Sequence, residues 1–343
     1  MTETLQQDDP AAMPARTFGK LARSMAGYTL VTALMFVSPL FVFIPASLLH
    51  CGIRIGRRAA WLLLVLSFAA AALFLYPGAA AGKAVEAAWT YGFLLGLFLA
   101  IALPALAILP MVERGEKFGR VLLYAIVISI AGLGVTELTM RIAANGFSIY
   151  AAQVALVREQ MAVTASIIVK AGGSVAGFGF FQTWAERCVT ASAVNAAAMT
   201  FVFSLIMFGR LRAWREFVLR RTPDAIIANP YRFRNLSLPE WLLFAFVIGG
   251  LSPLASGVLQ QIGANILLTV AFLYLLQGLA LFRSFLAAVG AGAIASLFAW
   301  MILALLFLGG IAPLLLCIAG LFDSFFDFRH FNRKDHSDES HSH

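Results

Sequence analysis

Only a handful of polar side chains interrupt the apolar runs of this chain, and they bound the chemistry it can do. Glu137, Asn195, Asn265 and Gln277 each lie inside or at the end of such a run, and Asp323, Asp327 and Arg329 cluster where the last one finishes. Ionisable and amide groups are costly in hydrocarbon, so each is a candidate for holding a solute or for bonding one helix to another. Bond-making chemistry is not indicated. HExxH, GxSxG and Walker patterns are missing, and no nucleophile, base or metal set stands out. The chain is therefore read as a non-enzyme with no cofactor and no metal site.

Glu137, Asn195, Asn265 and Gln277 are the candidate substrate-binding residues. Glu137 ends a helix that contains Gly132-Leu-Gly134, near enough to the outer surface to be wetted. The three amides also suit interhelical hydrogen bonds of about 1 kcal/mol each, so packing is their competing role. Gln260 and Gln261 fall in what reads as a solvated outer turn. Asp323 and Asp327 share one helix face, where like charges oppose each other and the helix macrodipole. They need basic partners, so Asp323, Asp327 and Arg329 are expected to form a structural latch with arginines of the basic loop. Cys51, Cys188 and Cys317 are far apart and read as inert buried thiols, while His336, His341 and His343 sit in a polar tail.

The elements that must position these residues are membrane helices. Of 343 residues, 61% are hydrophobic and 12% charged, and the mean hydropathy is +0.87. A span needs about 20 apolar residues to cross roughly 30 Å of hydrocarbon. Long Ala/Leu/Phe runs meet that length at 28–49, 59–76, 87–112, 121–138, 192–209, 241–259, 265–282 and 285–325. The last is too long for one span, and Gly309-Gly310 with Pro313 divides it. Lipid cannot satisfy an open backbone, so the fold expected is all-α, a polytopic transmembrane helix bundle of about 8–10 spans. Small residues at Gly92, Gly96 and Ala100, and at Ala288, Gly292 and Ser296, follow the spacing that lets helices approach closely.

Lys and Arg asymmetry orients the bundle. The net charge of +8 resides mainly in loops beside apolar segments, which favours topology over nucleic-acid binding. The loop 210–238 carries Arg210, Arg212, Arg215, Arg220, Arg221, Arg232 and Arg234 and is assigned to the cytoplasm, together with Arg54, Arg57, Arg58, Arg114, Lys117, Arg120 and the C-terminus. If 28–49 is one span, Arg16, Lys20 and Arg23 fall outside, against the rule. Pro39 and Pro45 offer a second arrangement, two short segments at 22–38 and 39–51, with both ends inside.

The expected organisation is a disordered cytoplasmic tail (1–21), one transmembrane domain (22–328) and a second disordered tail (329–343). Within the domain, 138–191 reads as an extracytoplasmic segment with an amphipathic interfacial helix, since Val154, Val157, Met161 and Ile168 recur on one face among charges. Gly172, Gly173, Gly177 and Gly179 then lead to Phe178, Phe180, Phe181 and Trp184, which suit a connection and aromatic anchor or a lid over an outward cavity. The basic loop has two readings: lipid contact, or an amphipathic helix that docks a cytoplasmic or membrane partner through Arg212, Arg215, Arg220 and Arg221.

Three stretches resemble the YybS-like family of predicted bacterial membrane proteins: Phe233-Arg-Asn-Leu-Ser-Leu-Pro-Glu-Trp241, Leu275-Leu-Gln-Gly-Leu-Ala280, and Gly320-Leu-Phe-Asp323 continuing to Asp327-Phe-Arg329. The resemblance implies a bacterial inner-membrane protein. It also implies distant similarity to the substrate-binding subunits of energy-coupling-factor transporters and to rod-shape membrane proteins, without transferring a ligand site. Two functions stay open, a transport-related solute-binding subunit and a non-transporting envelope or scaffold protein.

Overall fold

The computed structural model describes residues 15–81, 84–221 and 229–326, with side chains from residue 24 onward except at 77–85, 215 and 219–221. Among the described residues all regular structure is helical. Helix α1 (Ala15–Phe36) runs into a 3-10 turn (Pro39–Phe43) and α2 (Ile44–Arg54). Ser38 starts the turn by accepting the Leu40 amide on its hydroxyl at 3.3 Å, and Pro39 and Pro45 bring no N–H of their own. Thr32 Oγ1 and Ser47 Oγ meet at 2.8 Å, and the Tyr28 and His50 rings lie 5.8 Å apart. These pairings make α1 and α2 an antiparallel hairpin. The first apolar run thus folds as two segments, and the start of α1 returns to the end of the bundle that holds Arg54.

Helix α3 (Arg57–Ala81) is followed by α4 (Ala84–Leu97), a π-helical turn (Phe98–Ala102) and α5 (Leu103–Glu113). An Arg57–Glu113 ion pair joins the start of α3 to the end of α5. The π turn has a local cause. Pro104 has no N–H to give the Ala100 carbonyl, and the Ser129 hydroxyl donates to that carbonyl at 2.7 Å from the neighbouring helix. That neighbour, α6 (Phe118–Ala143), comes this close because Gly132 lacks a side chain: a Cβ there would lie 2.3 Å from Leu99 O.

Beyond α6 the chain forms α7 (Ile149–Lys170) and α8 (Phe178–Arg187), then α9 (Val189–Arg210) and α10 (Arg212–Arg221). Helices α7 and α8 leave and rejoin the bundle at its far end, where α6 stops and α9 begins, since Tyr150 and Arg158 of α7 both reach Glu186 near the end of α8. The sequence places an interfacial helix here. In the structure α7 is long and apolar enough to cross a membrane by length and composition, and it buries none of its residues. Helix α10 is seated on the basic end by Trp214, which is buried against Phe208 and Tyr231. The apolar residues Trp214, Phe217 and Val218 therefore pack on the bundle itself.

The last part comprises α11 (Leu242–Gly250), α12 (Gly257–Ala288), α13 (Ala293–Leu308) and α14 (Ile311–Phe326). Gly310, with φ +73, permits a 110° bend between α13 and α14 at the expected glycine pair. The spacing Ala288, Gly292, Ser296 does not make a packing face: Ala288 ends α12, Gly292 caps α13, and a Cβ on Gly292 would meet nothing within 4 Å. The close approach is made elsewhere. A Cβ on Gly278 would lie 2.0 Å from Leu316 O, and one on Gly320 would lie 2.0 Å from Tyr274 O, so α12 and α14 cross backbone to backbone. Among the described residues six helices can cross a membrane by length and composition, or seven if α13 and α14 form one broken span, and α2 and α11 are shorter apolar pieces packed among them.

Gly278→Ala and Gly320→Ala should each lower the thermal midpoint in detergent, because overpacking at a rigid backbone contact costs about 1–3 kcal/mol. Gly250→Ala, whose Cβ would meet nothing within 4 Å, should melt like the parent. Equal behaviour of all three in a size-exclusion melting assay would show that the crossing is not tight.

Candidate functional site

The bundle opens on its far half into a cavity of about 620 Å³ between α4, α6, α7 and α9. Its body is apolar, formed by Phe41, Trp89, Phe93, Ile130, Leu133 and Val194. Room for it comes from small side chains: Gly96, Ala100 and Gly134 line the space, and a Cβ on Gly134 would meet nothing within 4 Å. Gly96 thus helps hold a space open, while Ala100 lines it and also sits at the close approach of α6, where its carbonyl accepts from Ser129.

The polar lining is concentrated at one end, from Glu137, Arg141, Tyr150, Gln153 and Gln261. Glu137 is held on three sides. Its Oε1 accepts from Ser148 Oγ at 2.6 Å and from Arg141 Nε at 2.7 Å, and its Oε2 accepts the Tyr150 amide at 3.0 Å. The carboxylate therefore fixes the first turn of α7, where Ser148 also caps the helix by accepting the Ala151 amide at 3.0 Å. Gln261 Nε2 donates to Tyr150 Oη at 2.6 Å, and this phenol reaches the Glu186 carbonyl at 3.4 Å. Gln261 is thus a wall of the cavity and a tie between α12 and α7, where the sequence suggests only a solvated turn.

Glu137 is the one member of the sequence-derived set that lines this cavity. Asn265 is occupied elsewhere: it accepts the Ala191 amide at 2.7 Å and donates to Arg187 O at 2.8 Å and Gln261 O at 2.7 Å, pinning the start of α9 to α12. Gln277 is fully buried, accepting the Leu238 amide at 3.0 Å and donating to Asp323 Oδ2 at 3.0 Å and Ser324 Oγ at 3.3 Å. Asn195 is half-buried and outside the cavity lining, and its Oδ1 has no hydrogen-bond partner among the described residues. Asp323 lies inside the bundle with 6% of its surface exposed; Asp327, Arg329, His336, His341 and His343 fall outside the described residues. Sequence reading missed Tyr150, Gln153 and Gln261. Their polarity was visible, but only the fold sets them beside one another.

Cys51 and Cys188 are buried and Cys317 half-buried, all as free thiols. Among the described residues no group of three His, Cys, Asp or Glu could hold a metal ion. In the basic loop, Arg212 pairs with Glu216 at 2.8 Å on an exposed turn, and the side chains of Arg215, Arg220 and Arg221 fall outside the described set.

The frame of the mouth is completed by Arg158, whose Nε and Nη2 reach the Glu186 carboxylate at 3.0 and 2.8 Å and so clip α8 to α7. Gln182 adds a donor at 3.1 Å. The Arg158 guanidinium hydrogen bond first, and the Gln182 amide next, hold the Glu186 carboxyl down to about 2. A folded-state value below the unfolded one, near 4.3, stabilises at neutral pH and down to that value, and the contribution is lost as pH falls towards about 2. Spin labels at Glu159 and Thr183 should therefore keep one distance distribution from neutral pH down to about pH 4.3 and broaden only below it. Broadening between pH 7 and 5 would show that Glu186 is not held by Arg158.

A family model described as a predicted membrane protein family (DUF2232) matches residues 28–324, and the chain belongs to that family. No curated protein and no solved structure matches the chain.

Proposed function

We propose that this member of the DUF2232 family binds a small amphipathic solute in the far-end cavity, as the membrane subunit of a bacterial transport system. The observation that supports this is the cavity's division of labour: apolar walls from Phe41, Trp89, Phe93 and Leu133, and hydrogen-bonding groups gathered at one end on Glu137, Arg141, Tyr150 and Gln261. About 620 Å³ lies within the range of small-molecule pockets. The shape suits a mostly apolar body with one polar head. The head would be met by Arg141, Gln153 and Gln261, because the Glu137 oxygens already accept three hydrogen bonds.

In this reading the protein is a multi-pass protein of the bacterial inner membrane, its basic end and C-terminus face the cytoplasm, and the cavity opens outward. Transport is what the resemblance to YybS-like proteins, and through it to substrate-binding transporter subunits, would imply. Coupling to a partner would use the charged outer face of α10, since Trp214, Phe217 and Val218 are engaged with the bundle.

Gly134→Leu tests the assignment, because the backbone has space for the side chain and only the cavity is filled. Protein in nanodiscs should release on extraction a discrete amphipathic molecule, identified by mass spectrometry. Its amount should fall at least tenfold in the variant while melting is unchanged. Recovery of bulk phospholipid alone, or an equal amount from both, would sink the reading and favour a scaffold.

A further inference from the structure

A second cavity, of about 740 Å³, lies at the basic end, and no part of the solute reading uses it. Its rim carries the arginines Arg210, Arg232, Arg234 and Arg283, contributed by α9, the 229–240 segment and α12. Among the described residues no carboxylate pairs with Arg210, Arg232 or Arg283. Like charges gathered in this way repel one another unless an anion lies among them.

The cavity is built, not a chance hollow between loops. Asn229 ties its floor together, donating to Gly209 O at 2.7 Å and accepting the Tyr231 amide at 3.0 Å, and Asn235 donates back to Asn229 O at 3.1 Å. Gly209 permits this, since a Cβ there would lie 2.8 Å from the Asn229 amide atoms. The lining Trp214 and Tyr231 are 2% and 0% exposed, with rings 5.5 Å apart. Trp214 Nε1 and Tyr231 Oη are both buried with no hydrogen-bond partner among the described residues. With both polar atoms shut inside the wall, the donors that face the cavity are the exposed arginines.

We propose that this cavity binds a phosphate group, with Arg210, Arg232 and Arg283 on its oxygens. Guanidinium forks match phosphate oxygens in pairs, and arginines that stay exposed hold an anion without burying a cation. Burial, with Glu116 contributing, pushes the Tyr231 phenol well above its ordinary value. The Glu116 carboxylate is itself engaged by Arg120 at 2.9 Å. The phosphate has two sources, the headgroup of an anionic lipid in the adjoining leaflet and a free phosphate in the cytoplasm.

Two binding assays on the full chain distinguish them: native mass spectrometry with phosphatidylglycerol in zwitterionic nanodiscs, and equilibrium dialysis with radiolabelled inorganic phosphate. Retention of one phosphatidylglycerol identifies the lipid, and saturable uptake of phosphate identifies the free anion. In either case R210Q/R232Q should weaken binding at least tenfold, and Arg212→Gln, outside the cavity and paired with Glu216, should leave it unchanged. If the double variant does not accumulate, Arg283→Gln alone should still weaken binding several-fold. Absence of binding in both assays, or equal losses from Arg210/Arg232 and Arg212, would overturn the site. Gly134→Leu should bind the phosphate probe like the parent, so failure here leaves the solute cavity standing.

Discussion

The backbone crossing of α12 and α14 is the contact on which the second half of the molecule depends. Helices in lipid gain little from burying apolar side chains against each other, because the surrounding chains are equally apolar. Close approach therefore has to come from backbone atoms, and Gly278 and Gly320 provide it. Once the helices are this near, Gln277 is shut off from water and its amide must be satisfied inside. It is satisfied by Leu238 on one side and by Asp323 and Ser324 on the other. The crossing thereby draws the 229–240 segment into the bundle, with Tyr231 and Leu236 fully buried. The same segment packs on α6, where a Cβ on Gly119 would lie 1.9 Å from Ser237 O.

Satisfying polar groups internally also explains which side chains are left for function. Ser129, Ser204 and Ser67 each donate to a carbonyl on another element, at Ala100, Val42 and Thr29. Asn265 and Gln277 have their amides committed in the same way. A side chain with all its partners inside the bundle has no capacity left for a ligand, whatever its depth in the membrane. Among the groups that keep capacity for a ligand, Arg141 and Gln153 line the far cavity and Arg210 and Arg232 the basic one.

The all-α membrane fold was legible because it follows from composition and run length. The breaks were legible too: Pro39 and Gly309-Gly310 change backbone geometry locally, and both mark turns in the structure. Burial of Asp323 was not. A carboxylate near the end of an apolar run looks wetted until Gln277, 46 residues earlier, is placed beside it. The cavity was harder still. Gln261 and Tyr150 are 111 residues apart, and neither has a local pattern that sets it apart from a polar residue at a helix end. The spacing Gly92, Gly96, Ala100 illustrates the limit: small residues permit either contact or space. A Cβ on Gly92 would lie 3.0 Å from the Ile149 side chain, while Gly96 and Ala100 open onto the cavity.

The two cavities divide the physical chemistry of the bundle between its ends. At the far end the positive charge of Arg141 is matched by Glu137 at 2.7 Å and that of Arg158 by Glu186 at 2.8 Å, so the mouth offers hydrogen bonds with little net field. At the basic end charge accumulates above an aromatic floor of Trp214, Tyr231 and Phe233. A near-neutral polar mouth admits a weakly charged amphiphile without having to strip it of strong hydration. Three arginines of that rim, Arg210, Arg232 and Arg283, pair with no carboxylate among the described residues, which favours an anion there. Helix α9 links the ends, with Thr190 to Thr200 facing the first cavity and Ile206 to Arg210 the second. Asn265 at its first turn and Asn229 at its last fix both ends of that helix. A shift of α9 in response to either occupant would have to break one of those two amide ties, which makes them the mechanical limit on any communication through the bundle.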